Sequence, residues 1–237
     1  MIVKIIKQKV KYAIPKIFPS SAIMMFHHIT GEPESLKSCC VLDYNNFLEV
    51  LDTFERYASI SEVCNSPRKN KIAITFDDGL LDVYSLAYPV LKEKNIPFTV
   101  FIISDFVGTE GYITVEQLKE LANDPLVTIG SHGTSHGILT EMSFEEQKEE
   151  LTISKKKIEE WIGKKVDFFA YSHGIFNSDT VKLTNEIYDF SFSTRAFPVN
   201  LLTKSRHNIP RYDLQNRNYK TVVATLKSYI RKKNNVN

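Results

Sequence analysis

KIAITFDDGLLD, residues 71–82, begins as an apolar β-rich run and ends on two adjacent carboxylates, Asp77 and Asp78, followed by Gly79. Two neighbouring carboxylates repel, and keeping both ionised takes a cation, a hydrogen-bond network or a shared proton. A solvated turn, a helix N-cap pair or a surface charge cluster would also place Asp-Gly after a strand. The residues that follow, LLDVYSLAYPVLKEKN (80–95), have helical spacing with a kink or restart expected at Pro89. The stretch therefore reads as strand, charged turn and helix.

The same unit recurs along the chain. AIMMF (22–26), FTVFII (98–103), LVTIGS (126–131), DFFAYS (167–172) and DFSFSTR (189–195) read as strands. Helices are expected over 43–56 with Asp43 as N-cap, over 113–123 with a Thr114/Gln117 capping box, over 143–163 capped by Ser143, and over 178–187. Strand-helix alternation of this kind predicts an α/β fold with a mostly parallel sheet, open or closed into a barrel. At 237 residues, with 43% hydrophobic residues and only 9 Gly and 9 Pro, the chain can bury a sizeable core as one domain.

Composition excludes several classes of function. A net charge of +2 is too small to argue for nucleic acid. The three cysteines, Cys39 and Cys40 adjacent and Cys64 alone, make neither metal-site spacing nor a disulfide framework, and an odd count fits a reducing compartment. No stretch approaches the roughly 20 apolar residues of a membrane span. The N-terminal MIVKIIKQKVKYAIPKIFPS is broken by five lysines and lacks the h-region and cleavage site of a secretory signal, which predicts a cytoplasmic protein. Its apolar residues recur at helical spacing, so it can lie on an anionic membrane surface or pack across a barrel end. TVVATLKSYIRKKNNVN (221–237) has a similar character.

Five of the six histidines fall just past a predicted strand: His27 and His28 after AIMMF, His132 and His136 after LVTIGS, His173 after DFFAYS. The Asp77-Asp78 pair holds the same position after KIAITF. In parallel α/β folds the C-terminal strand ends converge on one face, so these side chains are expected to meet. His132 and His136, in SHGTSHG, are separated by Gly and Ser that argue against the helical zinc-protease motif. Two neutral imidazoles and one carboxylate suit zinc or a similar divalent ion, with positions left open for water and substrate. One aspartate would then hold the ion while the other takes a proton from bound water.

Thr75-Phe76-Asp77-Asp78-Gly79 together with Ser131-His132-Gly133-Thr134-Ser135-His136 resembles the polysaccharide deacetylase (NodB-homology, carbohydrate esterase 4) family, over about residues 22–214. The resemblance implies a distorted (β/α) barrel of about seven parallel strands, here residues 22–215, between a basic amphipathic segment (1–21) and a basic C-terminal helix and tail (216–237). It implies hydrolysis of N-acetyl groups on sugars with a divalent ion, usually Zn2+, with Co2+, Ni2+ or Fe2+ as alternatives. Carried over by residue, Asp77 is the general base, and Asp78, His132 and His136 hold the metal. Phe26-His27-His28-Ile29 resembles the Tyr-His-x-Ile/Val segment of the branch that includes poly-N-acetylglucosamine deacetylases, which favours His27 as general acid over His28 or His207.

Two departures stand out. Phe169-Ala170-Tyr171-Ser172-His173-Gly174 replaces the branch's Phe-x-Tyr-Pro-x-Gly, and the arginine that commonly holds the base is missing there; Arg211 can supply that charge. Tyr171, Ser172 and His173 are assigned as substrate contacts, with a backbone N–H near His173 as an oxyanion donor, and Phe106 and Tyr112 as further candidate walls. The expected partners are an N-acetylated oligo- or polysaccharide or a lipid-linked sugar, with peripheral membrane contact at the inner face and no nucleic acid. An O-acetyl sugar esterase and a catalytically weak glycan- or metal-binding barrel are the rival readings.

Overall fold

The computed structural model describes residues 19–32, 40–200, 203 and 205–230. In chain order these contain β1 (Ala22–Phe26), β2 (His28–Thr30), β3 (Val41–Asp43), α1 (Tyr44–Thr53), α2 (Ile60–Asn65), β4 (Ile72–Phe76), a π-helical turn (Val83–Ala87) running into α3 (Tyr88–Glu93), β5 (Phe98–Ile102), α4 (Val115–Asn123), β6 (Val127–Ser131), α5 (Phe144–Ile162), β7 (Phe168–Ala170), α6 (Ser178–Ile187), β8 (Phe190–Phe192), β9 (Tyr212–Asp213) and α7 (Tyr219–Lys227). Seven strands form one sheet in the order β8-β7-β6-β5-β4-β1-β9, all pairs parallel. β2 and β3 pair separately.

The sheet curls into a half-barrel, and one segment bridges its open side. Ser191 N donates to Arg206 O, Ile209 N to Ser191 O and Ser193 N to Ile209 O, so residues 206–209 run beside β8. Three residues later Tyr212 and Asp213 pair with Met24 and Met25 of β1. The chain passes from one edge of the sheet to the other across Pro210 and Arg211, and this passage carries Arg211 into the interior.

Two-residue alternation sorts the strand side chains into two cores. Ala22, Met24 and Phe26, Ile72, Ile74 and Phe76, and Phe98, Val100 and Ile102 face outward under the helices. Ile23, Ala73, Phe101, Ala170 and Phe192 face inward, where Ala58, Ile60 and Val63 plug the end opposite the strand C-termini. Both faces are buried, so the strands read as continuous apolar runs. Gly130 of β6 is needed for space: a Cβ there would lie 2.5 Å from the Phe101 ring and 3.0 Å from Phe168 O.

The predicted caps form. Asp43 caps α1, Thr114 and Gln117 make a capping box on α4, and Ser143 with Glu146 makes one on α5. The helix after the Asp pair restarts at Pro89, as expected. The π-turn comes first, and Pro89 sits in the first turn of α3, where its missing N–H costs nothing. Residues 171–172 and 193–195 lie beyond their strands, whereas the three-residue β2 and β3 and the short α2 are too brief to announce themselves by periodicity.

At the C-terminal end, α7 buries Tyr219, Val223 and Leu226, followed by buried Tyr229 and Ile230. Its apolar face is thus packed on the core, the alternative to a membrane surface. No described helix is long and apolar enough to cross a membrane. Residues 1–18 and 231–237, on which the remaining membrane expectation rests, and Cys39 lie outside the described residues.

Candidate metal centre and active site

The inward alternation of the strands continues past their ends. Ala73 and Thr75 lead to Asp77, Gly130 leads to His132, and Met25 leads to His27. Asp77 is 2% exposed and Arg211 is wholly buried. Arg211 Nη1 donates to Asp77 Oδ1 at 2.6 Å and Nη2 to Oδ2 at 2.8 Å, a bidentate charged pair. The rest of its fork reaches Thr75 Oγ1 and Ser193 O, both at 3.2 Å. Burial alone would push the Asp77 carboxyl up, but the guanidinium and the nearby His132 override it and hold the carboxyl down at about 2.

A second carboxylate on the same inner face would collide with the first. The backbone turns instead: φ is +73° at Asp78 and +77° at Gly79. Glycine is required at the second position both by that φ and because a Cβ would come within 3.1 Å of the Ile102 side chain. The turn swings Asp78 toward the β6 loop, where its Oδ1 lies 3.5 Å from Nε2 of His132 and 3.5 Å from Nε2 of His136. His132 Nδ1 donates to Ala170 O at 2.7 Å, which leaves the Nε2 lone pair facing Asp78.

The three side chains fit a divalent cation. One oxygen and two nitrogens lie within 4.8 Å of one another. Asp78 Oδ1 is buried with no hydrogen-bond partner among the described residues, an arrangement that costs free energy unless a positive charge completes it. Burial, with His132 adding to it, lowers the His136 imidazole to about 4, so it is neutral with its lone pair available at neutral pH. A carboxylate and two neutral imidazoles are ligands suited to zinc and its neighbours.

The other predicted residues separate sharply. His27 stands at the end of β1 with Nδ1 3.9 Å from Asp213 Oδ1. His28 is turned to Asp82, with which it is ion-paired. His207 is buried in the barrel wall, its Nδ1 3.2 Å from Ser191 Oγ. Of the three acid candidates, His27 is the one whose charge acts on Asp77. Asp213 was not anticipated. It lies two residues beyond Arg211, so the alternation that brings Arg211 inward could have found it.

Tyr171 and Ser172 are not at the opening, contrary to expectation. Tyr171 is fully buried, its hydroxyl donating to His207 O at 2.8 Å and its ring stacked on Phe176. Ser172, 2% exposed, donates to His132 O at 3.2 Å and so links the ends of β7 and β6. His173 alone of that motif reaches the surface, with φ +57° and its ring centroid 4.5 Å from that of His136. Phe106 and Tyr112 pair edge-on at 5.0 Å on the β5 side, and Asp78 adds to burial in raising the Tyr112 hydroxyl.

A parallel α/β half-barrel with an Asp/His/His cluster at its strand C-termini, and a second, arginine-held aspartate beside it, defines a hydrolase-type site. A family model described as polysaccharide deacetylase matches residues 65–188, just over half of the chain, and the chain belongs to that family. A Staphylococcus aureus poly-beta-1,6-N-acetyl-D-glucosamine N-deacetylase is 29% identical over 159 residues, 60% of this chain and 54% of that protein. Among solved structures, the Streptococcus pyogenes deacetylase PplD superposes with a TM-score of 0.78 at 21% identity, covering 88% of this chain and 98% of that one. IcaB from Ammonifex degensii gives 0.76 at 23% identity, covering 88% and 97%. Those two likenesses establish the fold. The chain spans about half the length of the curated relatives it matches.

Proposed function

We propose that this chain is a metal-dependent N-deacetylase of N-acetylated amino-sugar glycans, with a poly-N-acetylglucosamine-like polymer as its substrate class. The observation that carries the proposal is the arginine-clamped Asp77 standing beside a cluster whose oxygen ligand, Asp78 Oδ1, is buried with no hydrogen-bond partner among the described residues. Asp78, His132 and His136 hold the cation, taken as Zn2+, which when bound lowers the pKa of water and polarises the acetamide carbonyl.

Asp77 is the base. Its Oδ2 lies 4.0 Å from His132 Nε2, within reach of a water at the cluster, and the carboxyl is ionised throughout the neutral range. Arg211 fixes both of its oxygens, so the carboxylate needs no reorientation to accept a proton. His27 is the acid, Asp213 facing Nδ1 and thereby leaving Nε2 to deliver a proton to the departing amine. The left-handed turn at His173 offers a backbone N–H and an exposed imidazole at the mouth as substrate contacts.

Acetate release from poly-β-1,6-N-acetylglucosamine by the zinc-loaded protein tests this reading, with O-acetylated xylan as the competing substrate. The expected result is release from the N-acetylated polymer that collapses in D77N. Equal rates for wild type and D77N would reject the base, and exclusive activity on the O-acetylated polymer would reject the substrate class in favour of an esterase.

A further inference from the structure

The loop that joins His132 to His136 is held by a helix that contributes nothing to the cluster itself. Glu150, in the second turn of α5, turns one carboxylate oxygen onto the loop: Oε1 accepts from Thr134 N at 2.8 Å, Ser135 N at 2.6 Å and Ser135 Oγ at 3.0 Å. Its backbone carbonyl accepts from Thr134 Oγ1 at 2.9 Å. One turn on, Ser154 Oγ donates to Gly133 O at 2.8 Å. The carbonyls of Gly133 and Thr134 accept from the backbone N–H groups of Ser104 and Asp105. The two faces of the loop are therefore held differently, the carbonyl face by the segment that follows β5 and by Ser154, and the Thr134 and Ser135 N–H groups by the single Glu150 carboxylate.

Gly133 shows that the carboxylate was given room. Its φ is +87°, and a Cβ would lie 3.0 Å from Glu150 Oε1. The loop then delivers His136 with φ +63°, a left-handed conformation uncommon outside glycine. We infer that Glu150 is a positioning residue for the metal ligand His136, acting through the backbone of Thr134 and Ser135. The inference rests on the metal-centre reading above and assigns to α5 the part of the site that the ligand motif does not encode.

The placement separates positioning from simple stability. The Ser135 contacts are at the surface, where water can take over the freed N–H groups and the fold survives. Water imposes no geometry, so the imidazole of His136 loses its fixed aim at Asp78 Oδ1. Outer-shell partners of this kind shift metal affinity by about 10–100-fold when removed.

The test is a titration of the metal-free protein with Co2+, followed by visible absorption and by competition with a chelator, alongside thermal melts without metal. E150A is expected to bind Co2+ about 10–100-fold more weakly, with an altered ligand-field band and a metal-free melt close to wild type. E150Q, whose amide oxygen accepts the same three donors, is expected to restore both affinity and band. E150D keeps the charge but withdraws it by one methylene, and is expected to behave as E150A; it decides the matter where E150A fails to fold. Wild-type affinity and spectrum in E150A or E150D would overturn the inference alone, as would an E150Q as weak as E150A. Failure of the wild type itself to bind Co2+ would overturn the metal-centre reading and the inference with it.

Discussion

Replacing Arg211 by methionine keeps the length and volume of the side chain and removes only its charge and its five donors. In wild type the guanidinium is wholly buried, with its fork on both oxygens of an aspartate that is 2% exposed. The depression of Asp77 from 3.8 to about 2 corresponds to about 2 kcal/mol of stabilisation. The variant loses more than that, because burial of Asp77 is then opposed only by the neighbouring imidazoles. Stranding one charge of a buried pair costs about 3–5 kcal/mol. For a chain of this size each kcal/mol moves Tm by about 2–4 °C, so R211M is expected to melt roughly 10 °C lower at neutral pH. A depressed carboxyl stabilises the fold above its unfolded value of 3.8, and that contribution is lost as pH falls through about 2. Wild type should therefore be insensitive to this group in the neutral range. In R211M the unpaired carboxyl is raised, so acidification neutralises it and the variant gains. Circular-dichroism melts in chelator, from about pH 8 down to about pH 5, should show the gap narrowing, with most of it absent when R211M is compared with wild type in a D77N background. A gap of under about 2 °C, or one that widens with acid, would refute the claim that Arg211 exists to keep Asp77 ionised.

Three further outcomes follow from the geometry. D78N preserves the left-handed turn, since asparagine adopts it as readily as aspartate; its metal-free melt should match wild type, while the Zn2+-induced rise, worth about 4 kcal/mol at thousandfold saturation, should disappear in scanning fluorimetry. H27Q should lower kcat by about 10²–10⁴-fold, as for loss of a general acid, with Zn2+ affinity by chelator competition unchanged because His27 is not in the cluster. G130A drives a Cβ to 2.5 Å from the Phe101 ring and should cost about 1–3 kcal/mol in urea unfolding, with F101L recovering part of the loss.

Much of this molecule is legible in its sequence because much of it obeys a simple period. Thr75 and Asp77 share a face, and Gly130 and His132 share another, so alternation alone aims Asp77 and His132 into the barrel mouth. The same rule should have removed Tyr171 from the substrate contacts. Phe169 faces outward under the helices, Tyr171 follows it two residues later, and its hydroxyl ends between Thr184 and His207 O. What periodicity does not carry is the passage at residues 206–213 from one sheet edge to the other. The reach of Arg211 to Asp77, across 134 residues of chain, is suggested instead by the arginine missing from the motif at 169–174.

The remaining gap concerns backbone handedness. Among the described residues six that are not glycine have positive φ: Cys40, Asn70, Asp78, Asn95, His136 and His173. Asn70 and Asn95 lie in turns away from the site, where asparagine adopts this conformation readily. Asp78, His136 and His173 are also of types that enter this region more readily than most, but unlike the two asparagines they lie at the site. They converge on one another, each turned out of the strand alternation so that its side chain crosses the mouth instead of following a face. Such strain persists only where neighbours over-determine it, and here each neighbour can be named. Gly79 packs against Ile102, Glu150 grips the loop before His136, and Gly174 packs so tightly on Thr194 that a Cβ would lie 2.1 Å from its hydroxyl. The ligand motif supplies the donor atoms, but these supports set their directions. Grafting DDG and HGTSH onto another parallel barrel without Glu150 or Arg211 should accordingly give a cluster with the right residues and little affinity for a cation.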